Sequence, residues 1–479
     1  MRIVFVLFGM FLCLSGCQIS SSQATEPTNA AQTAPSATQN GQPPSQVAQA
    51  PAIPQAIQSS VVPQFTAVHL DSTSHLNVLL QLKAAQSKST IRPNLDLAIV
   101  IDTSGSMRGS KMTDSKLAAH KLIDALSAHD KVTLIQYASD VRRMTFRRAA
   151  DAAGKAQLKN QINALQSGGS TALGPALFDA FEALSTMAQD GTRLRHVILM
   201  SDGLANVGEK NPKVLAQRSA DAFRAGISVT TLGVGLDYNE DLMTQVADEG
   251  GGRYHFIKDS HQIVGILGDE LNSLVGTVAR NVVVKFRGHD GIKLVKAFGY
   301  PTSHDGATST VRVGFMGSEQ SREIMMRVSL APGILPSSDA GPLSFGHFAI
   351  DYVDVSADGV ERRISETLTA TLAESPEAMA KTEKTEVSVR LGELEANEKL
   401  KVAAASAGRG DFSGARLSLG SALQQLRVQN EATPSPKLQQ QIIEFQGALD
   451  GIDAASTSSS GRKSYSKKYK ARAYSRQKK

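Results

Sequence analysis

The 479-residue chain has no tryptophan, 5% aromatic residues and two cysteines. So few aromatic rings argue against a surface built to stack sugars. Both cysteines, Cys13 and Cys17, lie at the N-terminal extreme. Nothing beyond residue 17 offers a thiol for a disulfide, a redox couple or a thiolate metal site. The apolar run Ile3–Leu12 is too short for a stable transmembrane helix. No glycine-rich loop has the spacing that cradles nucleotide phosphates. Acidic residues are missing from the last nineteen positions, Gly461–Lys479, which carry nine Lys/Arg. Against a net charge of +6 for the whole chain, the remainder is therefore mildly acidic. Length and a 41% hydrophobic content suffice for two or more domains with proper cores.

What the chain does contain is an apolar stretch, Leu95–Ile101, that stops at Asp102 and continues Thr103-Ser104-Gly105-Ser106-Met107. A buried parallel strand ending in a carboxylate and opening into a small polar loop is where α/β sheets place ligands. One carboxylate and two hydroxyls are hard oxygen donors suited to Mg2+ or Mn2+. Three oxygens are too few for an octahedral ion. A further hydroxyl is offered by Thr171 in Gly168-Gly169-Ser170-Thr171, and a second carboxylate by Asp202 at the end of the apolar run Val197–Ser201.

The order D-x-S-x-S, then Thr after a glycine-rich loop, then Asp at a later strand end, resembles the metal-ion-dependent adhesion site (MIDAS) of von Willebrand factor A domains. Asp102, Ser104, Ser106, Thr171 and Asp202 match it position by position, so the site reads as complete. Met107-Arg108-Gly109-Ser110-Lys111-Met112 continues the likeness as the M-x-G-x-K variant, and the resemblance spans roughly residues 95–275. It implies that Ser104 and Ser106 bind the metal directly and that Thr171 does so in the ligand-competent state. Asp102 and Asp202 would act at least partly through water. It also implies an open coordination position that accepts an Asp or Glu carboxylate of a partner protein.

At the N-terminus, Arg2, the short apolar run and Leu14-Ser15-Gly16-Cys17 resemble a bacterial lipoprotein signal peptide (residues 1–17). The resemblance implies a palmitate-type acyl anchor on Cys17, and Gln18 points to the outer membrane. Residues 18–63 are Ala, Gln, Ser, Thr and Pro with Glu26 as the only charge, which predicts a disordered spacer. Residues 64–94 read as strands. Between residues 95 and 277, strands at 95–101, 132–138, 141–146, 197–201, 228–234 and 253–257 alternate with helical segments. This predicts an α/β, doubly wound, Rossmann-like sheet whose one antiparallel edge strand is 141–146. Residues 278–372 are strand-like with no helical period, which predicts an antiparallel β-sandwich. The strands before residue 95 are expected to complete that sandwich, making the α/β domain an insertion. Residues 375–450 predict a helical hairpin, 387–407 and 411–426, joined at Gly408-Arg409-Gly410. The tail 451–479 has no apolar period and is expected to be disordered, with an anionic polymer as a possible partner.

Catalysis finds little support. A dehalogenase-type phosphatase needs an acid two residues after its nucleophilic aspartate, and Ser104 stands there. A serine hydrolase needs a histidine base, and the strand histidines are His196, at the wrong strand end, and His255. The expectation is a non-enzymatic, lipid-anchored envelope protein that binds a partner's carboxylate through a divalent metal, with no small-molecule substrate. The alternative is an envelope assembly factor in which the metal only stabilises the fold.

Overall fold

The strand Ile57–Pro63 (β1) is followed by Ala67–Val68 (β2) and His75–Ala84 (β3). A computed structural model describes residues 55–86, 92–186, 193–333, 342–357 and 359–478. The signal peptide with Cys17, and the spacer up to residue 54, lie outside the described residues. The spacer reading fails at its C-terminal end. Residues 57–63 pair antiparallel with β3, Ile57 opposite Ala84 and Pro63 opposite Val78. Ile57 is fully buried, and its burial together with seven ladder pairs outweighs a proline-rich context that reads locally as spacer.

Next come Asn94–Asp102 (β4), Ser110–Ala125 (α1), Lys131–Tyr137 (β5), Val141–Ala149 (β6), Ala152–Asn163 (α2) and Leu173–Ser185 (α3). The α/β unit continues with Arg193–Ser201 (β7), Pro212–Arg224 (α4), Ile227–Val234 (β8), Glu240–Glu249 (α5), Gly251–Ile257 (β9) and Ile263–Val275 (α6). The sheet order is β6-β5-β4-β7-β8-β9, parallel throughout except for β6, which runs antiparallel at the edge. From Leu95 to Asp102 every residue of β4 is buried, because α1, α2 and α6 cover one face of the sheet and α3, α4 and α5 the other. Helix starts follow local capping: the Asp151, Asn211 and Asn239 side chains accept from backbone N–H groups at the heads of α2, α4 and α5.

The chain then forms Thr277–Gly288 (β10), Ile292–Ala297 (β11), Thr302–Asp305 (β12), Thr308–Gly317 (β13), Ser321–Leu330 (β14), Leu343–Asp354 (β15) and Val360–Leu372 (β16). One sheet has the order β1-β3-β14-β11, the other β12-β13-β10-β15-β16-β2. Alternate residues of β3 (Leu76, Val78, Leu80, Leu82) meet Val282, Val284 and Phe286 of β10 and Phe348 and Ile350 of β15 in one core. Strands on both sides of the α/β unit in sequence thus share one sandwich, and the α/β unit is an insertion between β3 and β10.

Helices follow: Pro376–Ala380 (α7), Thr385–Gly408 (α8), Phe412–Ala432 (α9), Pro436–Asp450 (α10), Ile452–Ser456 (α11) and Ser459–Gln477 (α12). Val387, Leu391 and Leu394 of α8 pack on Leu79, Phe298 and Met325 at the outer face of the first sandwich sheet. The expected disorder of 451–479 is overturned by α11 and α12. Tyr465, Tyr469 and Ala473 stand four residues apart on α12 and are buried among α8, α9 and α10. Ala471 and Tyr474 reach the α/β core. Tyrosine and alanine contribute weakly to hydropathy, so this stripe is hidden among lysines. The basic residues are also largely engaged: Lys463 with Asp237 (2.8 Å), Lys470 with Asp241 (3.2 Å), Lys478 with Asp248 (2.9 Å) and Arg476 with Glu444.

Candidate metal centre

Asp102 ends β4, and Asp202 directly follows β7. The two strands are parallel neighbours, Ile101 level with Met200, so both carboxylates emerge side by side at the carboxyl edge. The glycine-rich loop is tied to the D-x-S-x-S loop through its backbone. Gly168 N–H donates to Thr103 O (2.8 Å), and Gly105 N–H donates to Gly169 O (3.0 Å). Thr171 is then held by Asn206. Its N–H donates to Asn206 Oδ1 (2.8 Å), and its carbonyl accepts from Asn206 N–H (3.1 Å).

The five predicted residues converge. Ser104 Oγ and Ser106 Oγ are 3.1 Å apart, and Ser106 Oγ donates to Asp202 Oδ1 (2.7 Å). A methyl group on Gly203 would sit 3.3 Å from both Ser106 Oγ and Thr171 Oγ1, so these two hydroxyls face one small space beside Asp202. Asp102 and Asp202 are fully buried, Ser104 and Thr171 nearly so, and Ser106 is exposed. The cluster therefore opens to solvent on the Ser106 side.

Asp102 is fixed on both oxygens. Oδ1 accepts from Ser104 N–H (2.8 Å) and Oδ2 from Ser201 Oγ (2.8 Å), with the Tyr137 hydroxyl 3.2 Å away. Burial pushes its pKa up, the bonds from Ser104 and Ser201 oppose that shift, and the negative charge of Asp202 adds to it. Two buried carboxylates side by side, next to three hydroxyls, fit a hard divalent cation. Among the described residues no group of three or more His, Cys, Asp or Glu could hold a metal.

Lys111, in the first turn of α1, adds a feature the sequence motif contained without a role. Its Nζ lies 2.5 Å from Asp202 Oδ2 and 3.4 Å from Ser106 O. Ser201, Gly203, Tyr137 and Asn206 were also missed. Ser201 and Gly203 flank Asp202 and were within reach of the motif. Tyr137 and Asn206 are distant in sequence and carry no spacing signal. The strand histidines lie elsewhere. His196 Nδ1 shares a hydrogen bond with Ser228 Oγ (2.7 Å), and burial pushes its pKa down to about 4. His196 and His255 both approach Glu270 on α6, at 3.7 and 3.4 Å.

Residues 96–269 match the model of the von Willebrand factor type A domain, so the chain carries a domain of that class. Domains of the class commonly hold a divalent metal at the MIDAS and bind protein ligands there. A solved von Willebrand factor type A structure from Catenulispora acidiphila aligns over 86% of this chain and 95% of its own with TM-score 0.67, at 17% identity, a likeness of fold. The uncharacterized protein YfbK of Escherichia coli is 29% identical over 205 residues, 42% of this chain and 35% of YfbK. Inter-alpha-trypsin inhibitor heavy chain H4 of Bos taurus is 28% identical over 243 residues, 49% of this chain and 25% of that protein. The matched part of this chain thus spans about a third or less of these curated relatives.

Proposed function

We propose that this protein is a non-enzymatic, divalent-metal-dependent binding protein of the bacterial cell envelope, anchored through lipid on Cys17, most simply in the outer membrane. One observation carries the reading. Asp102, Ser104, Ser106, Thr171 and Asp202 gather at a strand edge that is buried beneath and open at Ser106. Mg2+ or Mn2+ suits the oxygen donors better than a softer ion. When bound, the metal supplies an electrophilic position for a ligand oxygen. The chain's own residues do the rest: Asp102 is held rigid by Ser104 and Ser201, Thr171 is positioned by Asn206, and Ser106 borders the opening. Five side-chain donors leave a coordination position of an octahedral ion open, and an Asp or Glu carboxylate of a partner protein completes the coordination.

The test is a pull-down from detergent-solubilised envelope with the whole chain, in Mg2+, in chelator, and with Asp102→Ala. A partner retained only with metal and intact Asp102 is expected. Partners that persist through chelation and substitution would move binding to the sandwich or helices and leave the metal a role in stability alone.

A further inference from the structure

We propose that Lys111 is a tethered counter-ion of the metal centre that weakens its hold on the cation and strengthens the loaded site's hold on an anionic ligand. The inference rests on the metal-binding reading above and deepens it. The Lys111 ammonium is placed rather than incidental. It makes a 2.5 Å contact with Asp202 Oδ2, and Asp202 is itself fully buried while accepting from Ser106 through its other oxygen. The space for it is built from the end of β8. A methyl group on Gly235 would lie 3.3 Å from both Cε and Nζ of Lys111. The nearby carboxylate that could draw it away, Asp237, is held by Lys463 of α12 at 2.8 Å. Asp202 is therefore the carboxylate that Lys111 serves.

The consequence is one of charge. Asp102 and Asp202 alone would neutralise a dication and leave a loaded site with little pull on an anion. With Lys111 in place the donor set carries one negative charge fewer, and the loaded site is net positive. The same ammonium repels the incoming metal and attracts the ligand's carboxylate, so its removal shifts the two affinities in opposite directions. A residue that merely braced Asp202 would shift them together.

The experiment titrates the whole chain with Mn2+, following free Mn2+ by paramagnetic resonance, for wild type, Lys111→Gln, Lys111→Arg and Asp102→Ala. Glutarate is then titrated at saturating Mn2+, and the loss of water-proton relaxation as the carboxylate displaces metal-bound water is read. A unit charge a few ångströms from a dication at intermediate dielectric supports a change of about tenfold or more. Lys111→Gln is expected to bind Mn2+ at least about tenfold more tightly and glutarate more weakly, with Lys111→Arg close to wild type. Unchanged or weaker Mn2+ binding by Lys111→Gln, with wild type binding normally, overturns the role of Lys111 and leaves the metal reading standing. Mn2+ binding by wild type no better than by Asp102→Ala overturns both.

Discussion

Gly203 shows how narrowly the candidate centre is drawn at the scale of single residues. Its missing side chain leaves the space that the Ser106 and Thr171 hydroxyls face, each 3.3 Å from where a methyl carbon would stand. That separation is tighter than ordinary van der Waals contact, so Gly203→Ala must push one hydroxyl aside. The φ of Gly203 lies outside the left-handed range, so the backbone tolerates alanine there. The expected outcome is a loss of Mn2+ affinity of about tenfold or more with a change in stability under ~1 kcal/mol. Mn2+ titration beside a thermal melt checks both. Asp102, Ser104 and Ser106 were legible in the sequence because they lie within five residues of a single strand end. Thr171 and Asp202 were legible as a hydroxyl after a glycine-rich loop and a carboxylate at a second strand end, and the resemblance to a known order joined them to the first three. Tyr137 and Asn206 could not be found by reading along the chain, since what they do depends on which strands and loops become neighbours.

At the scale of elements, α12 is where sequence reading and fold part company, and its interface is tuned by charge. Glu240, at the head of α5, is 8% exposed, and burial pushes its pKa up to about 7, although Lys470 Nζ at 3.7 Å works the other way. Lys467 of α12 is 7% exposed, and burial pushes its pKa down to about 8. Its Nζ donates to Tyr238 O (3.0 Å) and lies 3.6 Å from the centre of the Tyr238 ring. A carboxylate with a raised folded pKa favours the fold at low pH and loses that contribution as pH rises from its ordinary value to about 7. A lysine with a lowered folded pKa penalises the fold below about 8 and is relieved as pH climbs toward its ordinary value. Together they place the weakest docking of α12 between about pH 7 and 8. Each pKa unit corresponds to about 1.4 kcal/mol, so the swing is a few kcal/mol. Glu240→Gln should melt like wild type near pH 5 and several degrees higher near pH 8. Melting curves of the two that stay parallel across that range would show that Glu240 does not govern the docking. The sequence hid this element because charge periodicity and a tyrosine–alanine stripe do not register as an apolar face. The unbroken apolar run of β4 did register, and that strand was read correctly.

At the scale of the whole molecule, the inserted domain is coupled to its host by more than its two connections. Phe315 of β13 belongs to the sandwich by sequence but is buried in the α/β core, with Arg253 over its ring (5.2 Å) and His196 edge-on to it (6.1 Å). Arg312 of β13 pairs with Glu249 at 2.6 Å. Between these two side chains, Gly314 brings its backbone so close to Gly251 that a Cβ would lie 2.1 Å from the Gly251 carbonyl oxygen. Its φ of +100° is one that L side chains rarely adopt. Gly314→Ala therefore adds backbone strain to a clash that neither chain segment can relieve alone, and β13 must lift away from β9. Phe315 would be drawn from its pocket in the process, forfeiting burial worth roughly 3 kcal/mol. The expected calorimetric outcome is a single cooperative transition for wild type that splits into two in Gly314→Ala. The inserted domain would then melt separately from a sandwich still closed by β1 and β3. A variant that still melts in one transition would mean that the two chain connections and α12 are enough to bind insert and host into one cooperative unit.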